Sequence, residues 1–476
     1  MLTAASLIVN TSLAQQRLPN VVFILMDDLG YGDLSCTGAL QYKTLNIDGL
    51  AKQGIRFTNF VSPQAVCSAS RAGILTGCYP NRLGISGALS PYSEIGLNPA
   101  EETIPEILKQ HNYKTAAIGK WHLGHQLEFL PLNQGFDEYL GLPYSNDMWP
   151  VFYDGSRNIP QAYVGKLKYP ELPLIKNNEK IKEIKTLEDQ AGLTTLYTET
   201  AVDFINRNKK NPFFLYLAHS MPHVPLAVSA KFKGKSGQGL YGDVIMEIDW
   251  SVGEILKALE KNGLTKNTLI IFTSDNGPWL NFGNHAGSAG GFREGKGTSF
   301  EGGQRVPCIM KWPGHISEGT VCNKLVSTID ILPTLAKITH SNLLKKKIDG
   351  VNILPLLLGD ENANPRKTFL YYYRKNSLEA IREGNWKLVF AHPGRTYHGF
   401  MPGKDGFPGD TNENFLFEEG LYDLRRDPGE QYDVKEMYPE VVSKLKKLAD
   451  EARKDLGDDL MNVKGANNRE PGRIQK

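Results

Sequence analysis

Residues 20–28 read Asn20-Val21-Val22-Phe23-Ile24-Leu25-Met26-Asp27-Asp28, and this run sets the expected architecture. Unbroken apolarity, without polar residues at alternate positions, predicts a strand buried on both faces of a sheet. Such strands occur in parallel or mixed sheets that helices cover on both sides. Three further runs of this type lie at residues 114–119, 212–218 and 268–273. The chain is therefore expected to form a large mixed, mostly parallel sheet.

Helical patterns lie between these runs. Residues 44–54 have a cap-like start and a glycine stop, while 195–208 and 243–263 carry apolar side chains at helical spacing. These apolar stripes are interpreted as core rather than as cofactor-binding surfaces. Strands that alternate with helices predict an α/β fold, in which helices sandwich the sheet.

The pattern of predicted strands and helices changes after a boundary near residues 358–364. Short strand-like runs at 369–373, 379–382 and 386–390 are followed by a helical pattern at 440–456. Strands followed by a helix predict a smaller C-terminal α+β domain with an antiparallel sheet. The expected division is a large domain at 16–360 and a C-terminal subdomain at 361–476.

The net charge is close to zero, with 54 Lys and Arg against 52 Asp and Glu. This balance does not call for a nucleic-acid partner or a polybasic membrane contact. Residues 1–15 are uncharged and apolar to small, and Ser12-Leu13-Ala14 fits a cleavage site, so they are interpreted as a signal peptide rather than a frayed terminus. No apolar run is long enough to span a membrane. Export to a periplasm or the cell exterior is expected.

The chain has five cysteines, at positions 36, 67, 78, 308 and 322. An odd number in an exported protein leaves one unpaired, and Cys67 is the natural candidate. Pairing among Cys36, Cys78, Cys308 and Cys322 is left open. No CxxC pair indicates a zinc site.

Polar residues collect where the predicted strands end. In α/β sheets, ligands bind beyond the carboxyl ends of the strands. The residues at these ends are Asp27, Asp28, Lys120, His122, His223, Asp275 and Asn276. Oxygen donors suit a hard divalent cation such as Ca²⁺, with Mg²⁺ as the alternative. Three carboxylates that converge without a cation would repel one another strongly.

The same region offers groups that handle an anion. Arg71, Lys120 and Lys296 supply positive charge, and His122 and His223 can transfer protons. A helix starting near residues 68–70 would direct backbone N–H groups at an oxyanion. Phosphate transfer and sulfate transfer need the same inventory, so these residues alone do not choose between them.

Four segments resemble type I sulfatases of the alkaline-phosphatase superfamily. The first is Cys67-Ser68-Ala69-Ser70-Arg71, which leads into Ala72-Gly73-Ile74-Leu75-Thr76-Gly77. The others are 113–124, the paired-aspartate segment 21–33, and Ser274-Asp275-Asn276-Gly277 followed by the lysine loop 295–303. They stand in family order over most of the chain up to about residue 360. Four motifs in order make the resemblance specific.

The resemblance implies an alkaline-phosphatase-like fold and a modified nucleophile. A maturase would oxidise Cys67 to formylglycine, whose hydrate attacks the sulfur of a sulfate ester. The implied cation ligands are Asp27, Asp28, Asp275, Asn276 and formylglycine 67.

Further roles follow from the same resemblance. Arg71 and Lys120 would hold the hydrate and the sulfate. His223, with Lys296, would assist the departing alcohol, and His122 would help remove the proton of the second hydroxyl. His219 lies near His223 in sequence and is interpreted as structural.

Two positions depart from the family pattern. Ala69 stands where the family commonly has proline, which points towards bacterial maturation systems that accept alanine. Asn112 stands where the second motif usually opens with glycine, and asparagine also tolerates turns.

Three functions are weighed on these grounds. The first is an exported sulfatase that acts on a sulfated carbohydrate. The second is a phosphodiester or phosphonate monoester hydrolase of the same superfamily, and the third is an inactive glycan-binding relative. Candidate specificity segments are 143–149, 284–285 and 392–398, with Trp149 able to stack on a sugar or to pack in the core. The sugar, the sulfate position, exo or endo action and the oligomeric state stay open.

Overall fold

The structure is a computed structural model that describes residues 18–343 and 346–474. The predicted signal peptide at 1–15 lies outside the described residues. Within those described, no helix is both long and apolar enough to cross a bilayer. The main sheet consists of β1 Asn20–Met26, β2 Ile55–Phe57, β3 Lys114–Gly119, β4 Glu138–Gly141, β5 Leu172–Lys176, β6 Glu179–Ile184, β7 Phe213–Ala218, β8 Thr268–Ser274, β9 Cys308–Lys311 and β10 Thr320–Cys322.

The strand order in this sheet is β10-β2-β9-β8-β1-β7-β3-β4-β5-β6. The five central strands, from β8 to β4, run parallel to one another. Antiparallel pairings occur towards the edges, at β8-β9, β9-β2, β4-β5 and β5-β6. This arrangement confirms the predicted large, mixed and mostly parallel sheet.

Helices cover both faces of the sheet. The helices are α1 Leu45–Lys52, α2 Cys67–Thr76, α3 Ile104–Lys109, α4 Leu187–Ala191, α5 Leu193–Asn208, α6 Gly239–Lys261, α7 Glu301–Gln304, α8 Ile331–Thr339, α9 Leu354–Leu357 and α10 Pro439–Leu456. Successive side chains of β1 point to opposite faces, so Ile24 packs in one apolar cluster with α5 and α6, and Phe23 in another with α2, α3 and α8. Each such fully buried side chain contributes roughly 1.5–3 kcal/mol to folding.

A second sheet follows in the C-terminal part of the chain. Strands β11 Thr368–Tyr373, β12 Ser377–Glu383, β13 Trp386–Val389 and β16 Gly420–Asp423 form an antiparallel sheet, and β14 His392–Thr396 pairs with β15 Asn412–Phe417. Helix α10 buries Leu445, Ala449 and Leu456 in the third apolar cluster, which this sheet shares. The predicted α+β character of this region is confirmed.

All five cysteines are free. Cys308 on β9 and Cys322 on β10 both lie opposite Phe57 of the strand between them. Two strand spacings separate their backbones by about 9–10 Å, whereas a disulfide requires Cα atoms within about 7 Å. The sheet itself therefore prevents this pair from forming a bond.

Candidate active site

Two adjacent strands bring the acidic residues together. Asp27 and Asp28 follow β1, and Asp275 and Asn276 follow β8, which runs parallel beside it with Met26 opposite Ser274. The backbone N–H of Asp28 donates to Asp275 Oδ1 at 3.2 Å, and Asn276 Nδ2 donates to Asp28 Oδ1 at 2.7 Å. Asp28 adopts a left-handed backbone conformation, with φ of 63°. This turn aims its carboxylate at the neighbouring strand end.

Cys67 is the first residue of α2 and is almost fully buried. Its Sγ lies 3.6 Å from Asp27 Oδ1 and 3.5 Å from Lys296 Nζ. The N-terminus of a helix favours negative charge, so the position suits a group that handles an anion. Burial raises the pKa of the Cys67 thiol to about 12, although Lys120 and Lys296 oppose the shift. As encoded, this cysteine is a neutral thiol and a poor nucleophile.

Arg71 lies one turn further along α2, on the same face as Cys67. Its Nε donates to Asp275 Oδ2 at 2.9 Å, and its Nη1 donates to the Lys120 carbonyl at 2.7 Å. The guanidinium is fully buried. Arg71 therefore ties the nucleophile helix to the ends of β8 and β3.

Two lysines neutralise the other carboxylates. Lys120, directly after β3, donates to Asp27 Oδ2 at 2.6 Å. Lys296 donates to Asp28 Oδ2 at 2.8 Å. Together with Arg71 on the third carboxylate, these contacts give three cations for three buried acids. The repulsion expected between converging carboxylates is offset by these side chains.

The cations control how the carboxylates titrate. Burial favours the neutral form of Asp27, but the charges of Lys120 and Arg71 outweigh it and hold its pKa well below the usual range. Burial, reinforced by the charge of Asp27, raises the pKa of Asp275 to about 6 although Arg71 opposes this. The two acids have opposite shifts because Asp27 faces more positive charge.

Two histidines face the cluster as neutral groups. His122 Nε2 lies 2.9 Å from the Leu89 carbonyl, which can only accept, so Nε2 carries the proton. Its buried Nδ1 contacts no partner among the described residues and has a free lone pair. Burial, with Lys120 and Arg71, lowers the pKa of His122 well below its ordinary value. His223 donates from Nδ1 to the Val224 carbonyl, and its Nε2 lies 3.6 Å from Asp28 Oδ2.

Sequence reasoning missed two residues of the site. Ser145 Oγ accepts from Lys120 Nζ at 3.1 Å, and it belongs to the segment 143–149 that was considered only for specificity. The centroid of the Trp279 ring lies 4.7 Å from Lys296 Nζ. It lies 5.7 Å from the centroid of the His223 ring. Its position three residues after Asn276 was the available signal. Trp149 is fully buried, so it packs in the core.

The C-terminal subdomain holds the lysine loop in place. Tyr397 OH donates to the Lys296 carbonyl at 2.6 Å, so the segment 392–398 reaches the site as predicted. Glu301, buried at the start of α7, accepts from Tyr371 OH at 2.7 Å and pairs with Lys387 at 3.2 Å. Breaking such a buried ion pair typically costs about 3–5 kcal/mol.

The other predicted neighbours lie outside the cluster. Asn284 binds Asp405 at 2.7 Å and so contacts the C-terminal subdomain rather than the acidic residues. His219 is buried, with its Nε2 3.1 Å from Ser251 Oγ on α6. This position fits the structural role predicted for His219.

The donor set fits a hard divalent cation. Ligand atoms of Asp27, Asp28, Cys67 and His223 all lie within 4.8 Å of one another. The Oδ1 atom of Asn276 is buried and has no hydrogen-bond partner in the described part of the chain. Asp275 was predicted as a ligand, and its Oδ2 is held by Arg71. Carboxylate and amide oxygens are the ligands that Ca²⁺ and Mg²⁺ prefer.

Comparison with known proteins identifies the family. Residues 19–341 match the sulfatase family model, and residues 364–472 match the model of the C-terminal region of aryl-sulfatase. The N-acetylgalactosamine-6-sulfatase of Mus musculus is 38% identical, over 94% of this chain and 88% of that protein. Arylsulfatase A of Homo sapiens is also 38% identical, over 92% and 88%.

A solved structure supports the same assignment. The PsFucS1 sulfatase from Pseudoalteromonas sp. superposes with a TM-score of 0.83 at 30% identity, covering 96% of this chain and 93% of that one. The chain therefore belongs to the sulfatase family of the alkaline-phosphatase superfamily, and it is a sulfuric ester hydrolase.

Proposed function

We propose that this protein hydrolyses a sulfate ester of a sulfated carbohydrate, with formylglycine at position 67 and a divalent cation. The observation that carries the proposal is the position of Cys67, at a helix N-terminus, with Lys296 Nζ at 3.5 Å and Asp27 at 3.6 Å. A relative named N-acetylgalactosamine-6-sulfatase supports a carbohydrate substrate.

Two groups have to be added to the chain. The cation would be held by Asp27, Asp28, Asp275 and Asn276, together with the modified residue 67, and Ca²⁺ suits this irregular oxygen site better than Mg²⁺. When bound, the cation supplies positive charge and the formylglycine hydrate supplies the oxygen nucleophile for sulfur.

The side chains of the site prepare it for an anion. The charges of the three carboxylates and the three basic side chains cancel. A bound divalent cation would add two positive charges and leave an electropositive pocket for the sulfate. Arg71 and Lys120 are bound to the acidic residues of the site, and Lys296 Nζ lies 3.5 Å from Cys67 Sγ. These fixed cations stabilise charge that develops on the sulfate oxygens, without reorganisation during the reaction.

Proton transfer falls to the two histidines. His122 is neutral with a free Nδ1 lone pair, so it can take a proton from the hydrated nucleophile. When no substrate is bound, burial and the charge of Lys296 lower the pKa of His223. An anionic ester bound beside His223 favours its protonated form, which can then donate to the departing alcohol with Lys296 close by.

The proposal extends to processing and location. Residues 1–15 would act as a signal peptide for export to a periplasm or the cell exterior. Residues 16–360 would form the catalytic domain and 361–476 the C-terminal subdomain. A maturase would act on Cys67 before the chain folds, because the residue is nearly inaccessible in the folded protein.

Mass spectrometry of the peptide that contains residue 67 tests the nucleophile. Protein from a maturase-competent host should carry an aldehyde at this position, while the peptide with buried Cys78 should keep its thiol. Activity should rise with the fraction converted, and Cys67→Ala should be inactive. Full activity with an unmodified cysteine contradicts the mechanism.

Substrate class needs a separate comparison. Hydrolysis of 4-nitrophenyl sulfate should exceed that of 4-nitrophenyl phosphate and of its phosphodiester analogue. A panel of defined sulfated mono- and oligosaccharides then identifies the sugar. Absence of turnover on the whole panel by fully converted enzyme contradicts the assignment to carbohydrate.

A further inference from the structure

A groove of about 670 Å³ lies at the junction of the main domain and the C-terminal subdomain. Three segments line it: residues that follow the nucleophile helix, the tip of the β11–β12 hairpin, and the C-terminal residues 464–473. Its charged lining residues are Lys375, Lys464, Arg469, Glu470 and Arg473. Four cations against one acid make the groove electropositive.

Two of these cations are available to a ligand. Lys375 and Lys464 are exposed, and neither forms an ion pair with another residue in the described ranges. Arg469 is held by Glu101 through bonds of 2.8 Å, and Arg473 lies 3.5 Å from Glu470. The two lysines therefore give the groove its free positive charge.

One wall of the groove is continuous with the active site. Ser86 lines the groove, and the next residue, Gly87, accepts a hydrogen bond from the Ala69 N–H at 3.2 Å. Ala69 is two residues after Cys67 on the nucleophile helix. The Leu89 N–H donates to Ser68 Oγ at 2.9 Å. The groove wall thus packs on the first turn of the nucleophile helix.

The hairpin tip makes a second connection. A β-carbon on Gly297, beside catalytic Lys296, would lie 3.1 Å from Tyr373 OH. Two residues further, the Lys375 N–H donates to Ser86 Oγ at 2.9 Å. Arg374, which stands between them in the chain, donates to the Glu413 carbonyl and to Asn414 of β15. The hairpin that carries Lys375 therefore approaches both the lysine loop and the groove wall.

We propose that this groove binds acidic groups of a sulfated polysaccharide chain, in sugar units beyond the one whose ester lies at residue 67. The inference rests on the proposed function, since a small aryl sulfate has no such units. A flexible polyanion that contacts several cations binds more tightly at low salt than at high salt. The groove would therefore favour polymeric over monomeric substrates through KM.

Binding of fluorescein-labelled dextran sulfate, followed by anisotropy at low salt, tests the groove without needing turnover. The double variant Lys375→Ala/Lys464→Ala should bind about tenfold more weakly than wild type, the combined effect of two exposed charge contacts. The control Lys233→Ala/Lys266→Ala removes two exposed lysines that do not line the groove. It should bind like wild type.

Turnover separates this proposal from the one on which it rests. All variants should hydrolyse 4-nitrophenyl sulfate at the wild-type rate, because none changes a group in the catalytic machinery. If the two double variants bind dextran sulfate equally well, the proposal that the groove binds the polyanion is overturned. Stronger binding of a single-stranded oligonucleotide through the same lysines overturns its assignment to polysaccharide. Failure of converted wild type to hydrolyse any sulfate ester overturns the proposed function instead.

Discussion

Replacing Lys296 by alanine removes the cation that contacts both the nucleophile and the acidic cluster. Its Nζ lies 2.8 Å from Asp28 Oδ2 and 3.5 Å from Cys67 Sγ, and the residue is only 6% exposed. Burial opposes its charge, but the carboxylates of Asp28 and Asp27 raise the pKa of Lys296 well above the ordinary value. The wild-type ammonium is therefore charged throughout the working pH range.

The expected loss follows from that geometry. One of three fixed cations around the reacting group disappears, and no neighbouring side chain can replace it. Removing a single preorganised donor of this kind typically lowers kcat by about 10²–10³-fold, or roughly 2.7–4 kcal/mol. The variant also releases Asp28 from its ion pair. The divalent cation should then bind more tightly, because a competing positive charge is gone.

The assay is kcat/KM for 4-nitrophenyl sulfate, normalised to the formylglycine content of each preparation. Titration with a chelator measures cation affinity in parallel. Lys311→Ala is the matched control, since Lys311 is also buried but lies on β9 outside the site. An activity within threefold of wild type, or a weaker cation affinity in Lys296→Ala, refutes the reasoning.

Three further outcomes are expected. Dialysis against a chelator should abolish hydrolysis, and Ca²⁺ or Mg²⁺ should restore it; activity that survives complete metal removal contradicts the cation site. Ser145→Ala should lower kcat/KM by about 10–100-fold, because Lys120 loses a charge-assisted partner, whereas Ser93→Ala on the surface loop should leave it unchanged. Burial raises the pKa of Glu379 to about 8 although Ser299 opposes this. The stability that Glu379 contributes is therefore present below pH 4.5 and is lost as the pH rises to about 8. Over this window the free energy of unfolding falls by at most about 1.4 kcal/mol per pH unit. Denaturant unfolding of Glu379→Gln should show a weaker loss of stability over this window, and an unchanged pH dependence contradicts the shift.

The central strands were predictable because their signal is local. Residues 20–26 are apolar without a break, and the structure buries all of them in β1. The edge strand Glu179–Ile184 was not predicted. Four of its six residues are exposed, so it lacks the apolar run that marks a strand buried on both faces.

The candidate site was predicted at the level of residue types. Strand-end carboxylates, basic residues and histidines indicated oxyanion chemistry, and the motif around Cys67 indicated which oxyanion. The structure brings these predicted residues together, although their catalytic roles stay predictions. Ser145 and Trp279 escaped because each gains its role from a tertiary contact, Ser145 with Lys120 and Trp279 with Lys296.

The sequence by itself determined the α/β alternation, the inventory at the strand ends and the family. Tertiary structure decided which cation faces which carboxylate, which nitrogen of His122 carries a proton, and that a basic groove adjoins the nucleophile helix. The physical reason is the strand order, which places β1 between β7 and β8 and so joins Asp28 to Lys296 across the sheet edge. Periodicity is a local property of the chain, whereas the contact between Asp28 and Lys296 links residues 268 positions apart.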